Sequence, residues 1–312
     1  MAYQHLFGPV PSRRLGVSLG VDLVPYKVCS QNCIYCEVGK TTNLTIKRRE
    51  YVNIHSVIEE LEHFLSGNPE LDFITFSGAG EPTLNSGLGK LIKYLKKYFP
   101  QFKIALITNS NLLTEAKLQD EIQDIDVLLP SLDAASDEVF QILNRPCREL
   151  NIKQIIDGII TTRKKLKGKM WLEIFLSPGI NDTPEELEKL QEACQRINPH
   201  LIQLNTLDRP GVIPELQALP VDRMEQIRNY FLPLPVEVIS KAVIRKQQKS
   251  YNLDIASSII ETIKRRPSTD KDLCQILGLH INELNKYLSS LLAENLISKR
   301  DGTRGTYFEV NQ

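Results

Sequence analysis

Between residues 16 and 207 the chain alternates short apolar runs with segments of helical period, and this alternation limits the fold more than any other feature. Strands are expected at GVSLGVDL (16–23), DFITFSG (72–78), KIALITN (103–109), DVLLPSL (126–132), WLEIFLS (171–177) and LIQLNTL (201–207). Each is rich in β-forming residues and bounded by polar or turn residues. Between them, HSVIEELEHFLSG brings Val57, Leu61, Phe64 and Leu65 to one helical face, and NIKQIIDGIITTRKKL does the same for Ile152, Ile155, Ile156, Ile159 and Ile160. After the fifth strand, Thr183 caps a helix, Pro184 takes its first turn and Glu186 completes a capping box. Such alternation gives an α/β fold with a mostly parallel sheet and helices outside it, which six units can build as a partial (β/α)6 barrel. A doubly wound open sheet satisfies the same periodicity.

The 312 residues suffice for one large domain and a small one. Hydrophobic residues make up 42% and charged residues 24%, the usage of a soluble globular protein. No apolar run approaches the roughly 18 residues of a membrane span, and MAYQHLFGPVPSRR lacks the basic start and apolar stretch of a signal peptide. A cytoplasmic protein without a membrane partner is expected. Lysine plus arginine equals aspartate plus glutamate at 38 each, which excludes a strong overall field for nucleic acid and leaves room for a local basic patch.

Of six cysteines, Cys147, Cys194 and Cys274 stand singly and read as small, semi-buried hydrophobes. The other three, Cys29, Cys33 and Cys36, fall within CSQNCIYC, and in a reducing compartment such a cluster suggests metal rather than disulfide. A structural zinc ion takes four ligands, typically as two close pairs, yet no histidine or fourth cysteine is near in sequence. His55 and His63 fall on a helix and read as surface groups. Three soft thiolates on one loop fit three corners of a cubane 4Fe–4S cluster whose fourth iron lacks a protein ligand. An incomplete ligand set points to a substrate or cofactor bound at that iron.

In such folds functional groups gather at the C-terminal ends of the strands. SGAGEPTL (77–84) ends the second strand: Gly78 and Gly80 let backbone approach a ligand and Glu81 adds a carboxylate, although the same letters also make a tight turn. ITNSN supplies Thr108, Asn109 and Ser110, and PSLDA supplies Ser131 and Asp133, polar groups that suit either a ligand's hydroxyls and carboxylates or loop capping. Arg13 and Arg14 in FGPVPSRRLG are placed either to grip an anionic group or to form a solvated pair.

The spacing C-x3-C-x2-C, with Tyr35 before the last cysteine, resembles the cluster loop of radical S-adenosylmethionine (SAM) enzymes. The resemblance implies that the methionine amino and carboxylate groups of SAM chelate the open iron. It further implies that an electron from the cluster cleaves SAM to a 5′-deoxyadenosyl radical, which abstracts hydrogen from a substrate. By the same resemblance Tyr35 lies at the cofactor, and Gly78, Gly80 and Glu81 correspond to the glycine-glycine-glutamate motif that holds the SAM amino group, with an alanine interrupting the glycines here. Ser131 or Asp133 would touch the SAM ribose, Asn109 would face SAM or substrate, and Gly179 in LSPGIND would lie near the adenine. A one-electron donor such as a flavodoxin or ferredoxin is implied as a partner. Over residues 5 to 245, most closely before residue 50, the chain resembles an uncharacterised radical SAM family related to the wyosine-type tRNA modification synthases. Those synthases carry a second cysteine triplet, which Cys147, Cys194 and Cys274 are too dispersed to form, so the resemblance does not carry wyosine chemistry with it.

Past residue 245 the polar, basic IRKQQKSYN reads as a connector, so domains of 1–245 and 246–312 are expected. LDIASSIIETIKRR, STDKDLCQILG (started by Ser268 or Thr269) and HINELNKYLSSLLAENL read as three helices, and KRDGTRGTYFEV as a hairpin turning at Gly302 and Gly305. Together, with LGLH as the tight turn, they look like a winged helix-turn-helix. Binding to DNA would put the third helix in the major groove and Lys299, Arg300 and Arg304 near the backbone, but Asn282, Asn285 and Lys286 share that helix with Glu283 and Glu294. Docking of an RNA or protein substrate through this domain takes the larger share. Two functions result: a radical SAM enzyme acting on an unidentified substrate, RNA or another macromolecule among the choices, and an iron–sulfur sensor regulating DNA through the C-terminal helices. The glycine-glutamate turn and polar strand ends favour the enzyme, because a sensor needs neither.

Overall fold

A computed structural model describes residues 3–12, 14–208, 211–239, 255–279 and 281–311. Arg13 and the connector expected at 244–252 lie outside the described residues. In chain order the strands up to residue 239 are β1 (Leu6–Ser12), β2 (Gly16–Val21), the two-residue β3 (Val28–Cys29) and β4 (Asn43–Leu44), β5 (Phe73–Phe76), β6 (Lys103–Thr108), β7 (Val127–Pro130), β8 (Lys169–Phe175), β9 (Leu201–Asn205) and β10 (Val236–Val238). The helices are α1 (Ile54–Leu65), α2 (Leu88–Tyr98), α3 (Ala116–Ile122), α4 (Asp137–Leu143), α5 (Ile152–Lys165), α6 (Pro184–Ile197) and α7 (Val221–Tyr230).

All six expected strands form, and they lie in one sheet of order β1-β2-β5-β6-β7-β8-β9-β10. Every neighbouring pair is parallel except β1 with β2. From β2 onward the order never reverses, so right-handed crossovers carry every helix to the same face. A doubly wound sheet needs a reversal, and that alternative is therefore set aside. Strand β1 was not expected, because LFGPVPS carries two prolines. At a sheet edge the missing N–H groups are tolerated, and a register shift between Phe7 and Val10 spans Gly8, whose φ of 98° suits a bulge.

Alternation along the strands divides their side chains between the two faces. Ile104, Leu106, Leu128, Leu172 and Ile174 join the helices in the main core. Their neighbours Ala105, Val127 and Leu129 pack with Leu15 on the other face, where Phe73, Ile107 and Trp171 are half-buried. On α5, Ile152, Ile155, Ile156 and Ile159 are buried as expected, and Ile160 is partly buried against the same core. Thr183 caps α6, its side chain accepting from the Glu186 N–H at 3.4 Å. The Glu186 carboxylate does not complete a capping box: it accepts from the Ala135 and Ser136 N–H groups at 2.6 and 3.0 Å and from the Ser136 hydroxyl at 2.6 Å. Three donors on the loop after β7 hold it more strongly than one at its own helix N-terminus.

The C-terminal residues form α8 (Ile255–Arg265), β11 (Ser268–Thr269), α9 (Asp270–Leu277), α10 (Ile281–Ala293), β12 (Ile297–Gly302) and β13 (Gly305–Val310). The strands make a small antiparallel sheet of order β11-β13-β12. Thr269 and Asp272 make a reciprocal capping box on α9, and Gly278, at φ 66°, ends it. Ile259, Ile263, Leu273, Leu284, Leu288 and Phe308 belong to a second core. Among the described residues no helix is long and apolar enough to cross a membrane.

Candidate functional site

The cysteine loop begins at β3 and is fixed on both sides. Its start is joined to the glycine-rich turn by two hydrogen bonds, from the Lys27 N–H to the Ala79 carbonyl at 2.9 Å and from the Glu81 N–H to the Val28 carbonyl at 3.0 Å. Its middle is held by the end of α4 and the chain after it: Asn32 donates to the Asn144 carbonyl, Ile34 to the Leu143 carbonyl, and Cys147 to the Ser30 carbonyl, each at 3.0 Å. Such a loop presents its thiols in a preset geometry.

The three thiols are half-buried, and each meets a polar group. The Lys27 ammonium donates to Cys36 Sγ at 3.0 Å, Asn109 Nδ2 to Cys29 Sγ at 3.5 Å and Asn144 Nδ2 to Cys33 Sγ at 3.6 Å. Burial works against the Lys27 charge, but the sulfurs of Cys36 and Cys29 outweigh it and hold its pKa above the ordinary lysine value. Burial, followed by the nearby Glu81 carboxylate, pushes the Cys29 thiol up to about 12, and Cys33 is also raised by burial. Metal binding at Cys29 and Cys33 must therefore release their protons. Lys27, only 3% exposed, was not expected from sequence. Its φ of 55° is an unusual backbone conformation for a lysine and the one local signal of its role.

Glu81 is 2% exposed at the end of β5. One oxygen, Oε1, accepts from the Thr83 N–H at 3.1 Å and from the Thr83 and Thr108 hydroxyls at 2.6 and 2.7 Å, while Oε2 accepts from the Asn109 N–H at 2.8 Å. Burial raises its pKa and these donors oppose the rise. A Cβ at Gly80 would stand 2.1 Å from the Val28 carbonyl oxygen, and one at Gly78, where φ is 137°, would stand 1.6 Å from Asp22 Oδ1. The glycines thus let the turn pack against the chain leading to the cysteines.

Asp133, 4% exposed, faces the same loop. Its Oδ2 accepts from the Tyr35 hydroxyl and, at 2.8 Å, from Asn144 Nδ2, and its Oδ1 accepts from the Phe175 N–H at 2.9 Å. The Tyr35 ring stacks on Phe175 with centroids 3.8 Å apart. Burial pushes the pKa values of Tyr35 and Asp133 upward. Asn109 and Ser30 are mutually hydrogen-bonded beside Cys29. Ser110 donates to the Ser131 carbonyl at 2.7 Å. Cys29, Cys33, Cys36, Tyr35, Gly80, Glu81, Asn109 and Asp133 are therefore linked through these contacts, with Ser131 at the adjoining strand end. At Gly179, with φ 71°, a Cβ would meet no described residue within 4 Å. Arg14 pairs with Glu173 on β8, so it is not a solvated edge group. Sequence reasoning missed Asn144, which joins Cys33 to Asp133 from 111 residues away along the chain.

A cavity of about 470 Å³ adjoins this region on the inner sheet face, reached by Ser18, Thr75, Ser77, Gly78, Glu37 and Arg304 among others. Cations expected near a DNA backbone are engaged within the chain instead: Arg304 pairs with Asp208 and Asp272, Arg300 with Glu309, and Lys299 lies over the Phe308 ring. The side chains of Asn282, Glu283, Asn285 and Lys286 lie outside the described set. Among the described residues no three His, Cys, Asp or Glu side chains are grouped as a single metal ion requires. Three thiols on one loop instead suit a larger, sulfur-loving cluster.

The Radical SAM superfamily profile matches residues 23–194. A UPF0026 protein of Methanocaldococcus jannaschii is 35% identical over 77% of this chain and 73% of its own length. The GTPase Obg of Brachyspira hyodysenteriae is 34% identical over 93% of this chain, which spans only 42% of that protein. The dual-specificity RNA methyltransferase RlmN of Lawsonia intracellularis is 23% identical over 73% of this chain and 62% of its own length. Among solved structures, a radical SAM methyltransferase from Sphaerobacter thermophilus superposes with a TM-score of 0.54 at 20% identity, covering 71% of this chain and 65% of that one.

Proposed function

The chain belongs to the radical SAM superfamily and to the UPF0026 family, and on that premise we propose that Cys29, Cys33 and Cys36 hold its 4Fe–4S cluster beside a SAM site that initiates radical chemistry on a nucleotide of RNA. It is a radical SAM enzyme, and the superfamily's cofactors are a 4Fe–4S cluster and SAM. Once bound, these supply a one-electron reductive cleavage beyond the reach of side chains. The observation that carries the reading is the thiol triplet fixed on one loop against a buried glutamate.

The chain's own residues fit that task. Lys27 neutralises part of the thiolate charge at Cys36, and the amides of Asn109 and Asn144 orient Cys29 and Cys33. Among the described residues Glu81 Oε2 accepts one hydrogen bond, which leaves a lone pair for the ammonium of an amino-acid ligand. Asn109 and Ser131 are suited to ribose hydroxyls. Asp133 already holds Tyr35, Asn144 and the Phe175 N–H, so we assign it and Tyr35 to holding the loop rather than to contacting ribose. Gly78 and Gly80 receive the same positioning role.

We read the large unit as a partial (β/α)6 barrel and the C-terminal three helices and hairpin as a winged helix-turn-helix. The separate cores support units of 1–245 and 246–312. Radical SAM enzymes need a reductant, for which a flavodoxin or ferredoxin in the cytoplasm is proposed. The likeness to an RNA methyltransferase favours RNA over a protein substrate. The sensor acting on DNA gains no support, since Arg304 and Arg300 turn to partners within the chain.

The test is anaerobic reconstitution with iron and sulfide, then reduction in the presence of SAM and chromatography for 5′-deoxyadenosine. The wild-type chain yields it and Cys33→Ala loses both iron and product. Silence of the wild type under every reductant, or product from the variant, overturns the assignment. Anaerobic co-purification tests the substrate class: RNA is expected, and a protein captured in its place refutes the RNA reading.

A further inference from the structure

The 470 Å³ cavity has two walls of different origin. One is the inner sheet face with Ser18, Thr75 and Ser77, and the other comes from the C-terminal unit through Arg265, Gln275 and Arg304. Two arginines bridge the walls. Arg265 reaches Asp22 Oδ2 at 3.5 Å and Glu261 on its own helix at 3.3 Å, with its guanidinium 4.6 Å from the Phe7 ring centroid. Arg304 reaches Asp208 and Asp272, both at 2.8 Å, and the buried Tyr307 hydroxyl donates to the Asp208 carbonyl at 3.0 Å.

Both core anchors lead to the loops that build the candidate site. The other Asp22 oxygen accepts from the Ala79 N–H at 2.8 Å, inside the glycine-rich turn that precedes Glu81. Three residues after Asp208, a Cβ at Gly211 would stand 2.9 Å from the Tyr35 backbone, and the Ile213 N–H donates to the Ile34 carbonyl at 3.1 Å. A half-buried forked guanidinium shared between two carboxylates fixes orientation as well as charge, which an exposed pair does not.

We propose that the C-terminal unit is the closing wall of the reaction cavity, and that Arg265 and Arg304 are positioning residues through which its seating holds the glycine-rich turn and the cysteine loop. This rests on the radical SAM reading for what the cavity does, but the coupling itself is a property of the chain. An external docking arm would not need to line the cavity with its own side chains. A lining wall also excludes water from the space where a radical forms.

Amide hydrogen exchange on the full chain, metal-free and reconstituted, tests the coupling in Arg265→Ala, Arg304→Ala and the conservative Arg265→Lys. Exchange at the Ala79 amide should rise about tenfold or more in Arg265→Ala, at the Ile213 amide by a similar factor in Arg304→Ala, and in α5 not at all; Arg265→Lys should recover part of the Ala79 protection. In the reconstituted variants SAM affinity, read by equilibrium dialysis, should fall several-fold while iron content holds. Unchanged exchange at Ala79 and Ile213, or acceleration spread evenly into α5, overturns the proposal. Because the exchange result is obtained without metal, a wild type that makes no 5′-deoxyadenosine would sink the functional reading and leave the coupling standing.

Discussion

Replacing Gly80 with alanine tests whether the glycine-rich turn sets the position of the first cysteine. The added Cβ would lie 2.1 Å from the Val28 carbonyl oxygen and 2.7 Å from Val24 Cγ2. The valine methyl can rotate, but the carbonyl belongs to β3, is immediately followed by Cys29, and accepts the Glu81 N–H at 3.0 Å. Relief requires the backbone of β3 and the turn to separate by more than about 1 Å. Overpacking of this kind costs about 1–3 kcal/mol, and weakening the buried Glu81 to Val28 hydrogen bond adds about 1 kcal/mol. A loss of about 2–4 kcal/mol lowers the melting temperature by roughly 3–8 °C in a chain of this size. The same displacement moves Cys29 away from Cys33 and Cys36, so anaerobically reconstituted Gly80→Ala should retain well under half of the wild-type iron. Gly179→Ala is the control. Its φ of 71° makes alanine strained, at a cost of about 1–2 kcal/mol, but among the described residues none lies within 4 Å to be displaced. It should melt only a few degrees lower and keep its iron. Differential scanning fluorimetry and iron analysis on both variants decide the matter: a Gly80→Ala chain with full iron and a melting point within about 2 °C of wild type would falsify the reasoning.

Three further outcomes are expected. Lys27→Met removes the ammonium that faces Cys36; the reconstituted cluster should become harder to reduce, and a redox titration that finds an unchanged or higher midpoint potential would count against its role. Tyr35→Phe deprives buried Asp133 of one of three donors, which should cost about 1–3 kcal/mol in urea denaturation while iron content stays near wild type; loss of iron instead would make Tyr35 more than a support for the loop. His200, whose Nδ1 accepts from the Met170 N–H at 2.9 Å, has its pKa lowered by burial and then by Arg163 and Lys169. A lowered value means that the unfolded chain binds the proton first, so this contribution is complete above the ordinary histidine pKa and is lost as pH falls through the folded one. Urea midpoints of wild type should therefore drop below about pH 6.5 more steeply than those of His200→Gln, and parallel curves would show the histidine to be neutral in folding.

What the sequence made legible follows from period and type, which are local properties. Apolar alternation located six strands because each must bury a face, and the cysteine spacing marked its loop because thiols that share a cluster must lie close in the chain. Strand β1 escaped because its prolines argue against pairing, an argument that fails at an edge with one neighbour. Glu186 was read as capping its own helix because the capping box is a local pattern, whereas its carboxylate found three donors on a loop some 50 residues away. Asn144 carried no signal, since an asparagine after a helix is ordinary until the fold brings Cys33 and Asp133 to it.

The C-terminal unit illustrates the same limit at larger scale. Three helices and a hairpin could be read from residues 253 to 310, and the cations Lys299, Arg300 and Arg304 then suggested a surface offered to an outside polyanion. Charge in a sequence has no direction, however. Arg304 meets Asp208 across 96 residues, and Arg265 meets Asp22 across more than twice that span. Each pair is drawn together by the seating of one folded unit on another, which no periodicity within either unit encodes. Once those guanidinium groups are paired with carboxylates inside the chain, the attraction they offer to an outside phosphate is already largely consumed. If the cavity is the reaction site proposed above, its substrate would be selected by the space the two walls leave between them, and by the hydroxyls of Ser18, Thr75 and Ser77 on the sheet side, rather than by long-range attraction to the C-terminal face.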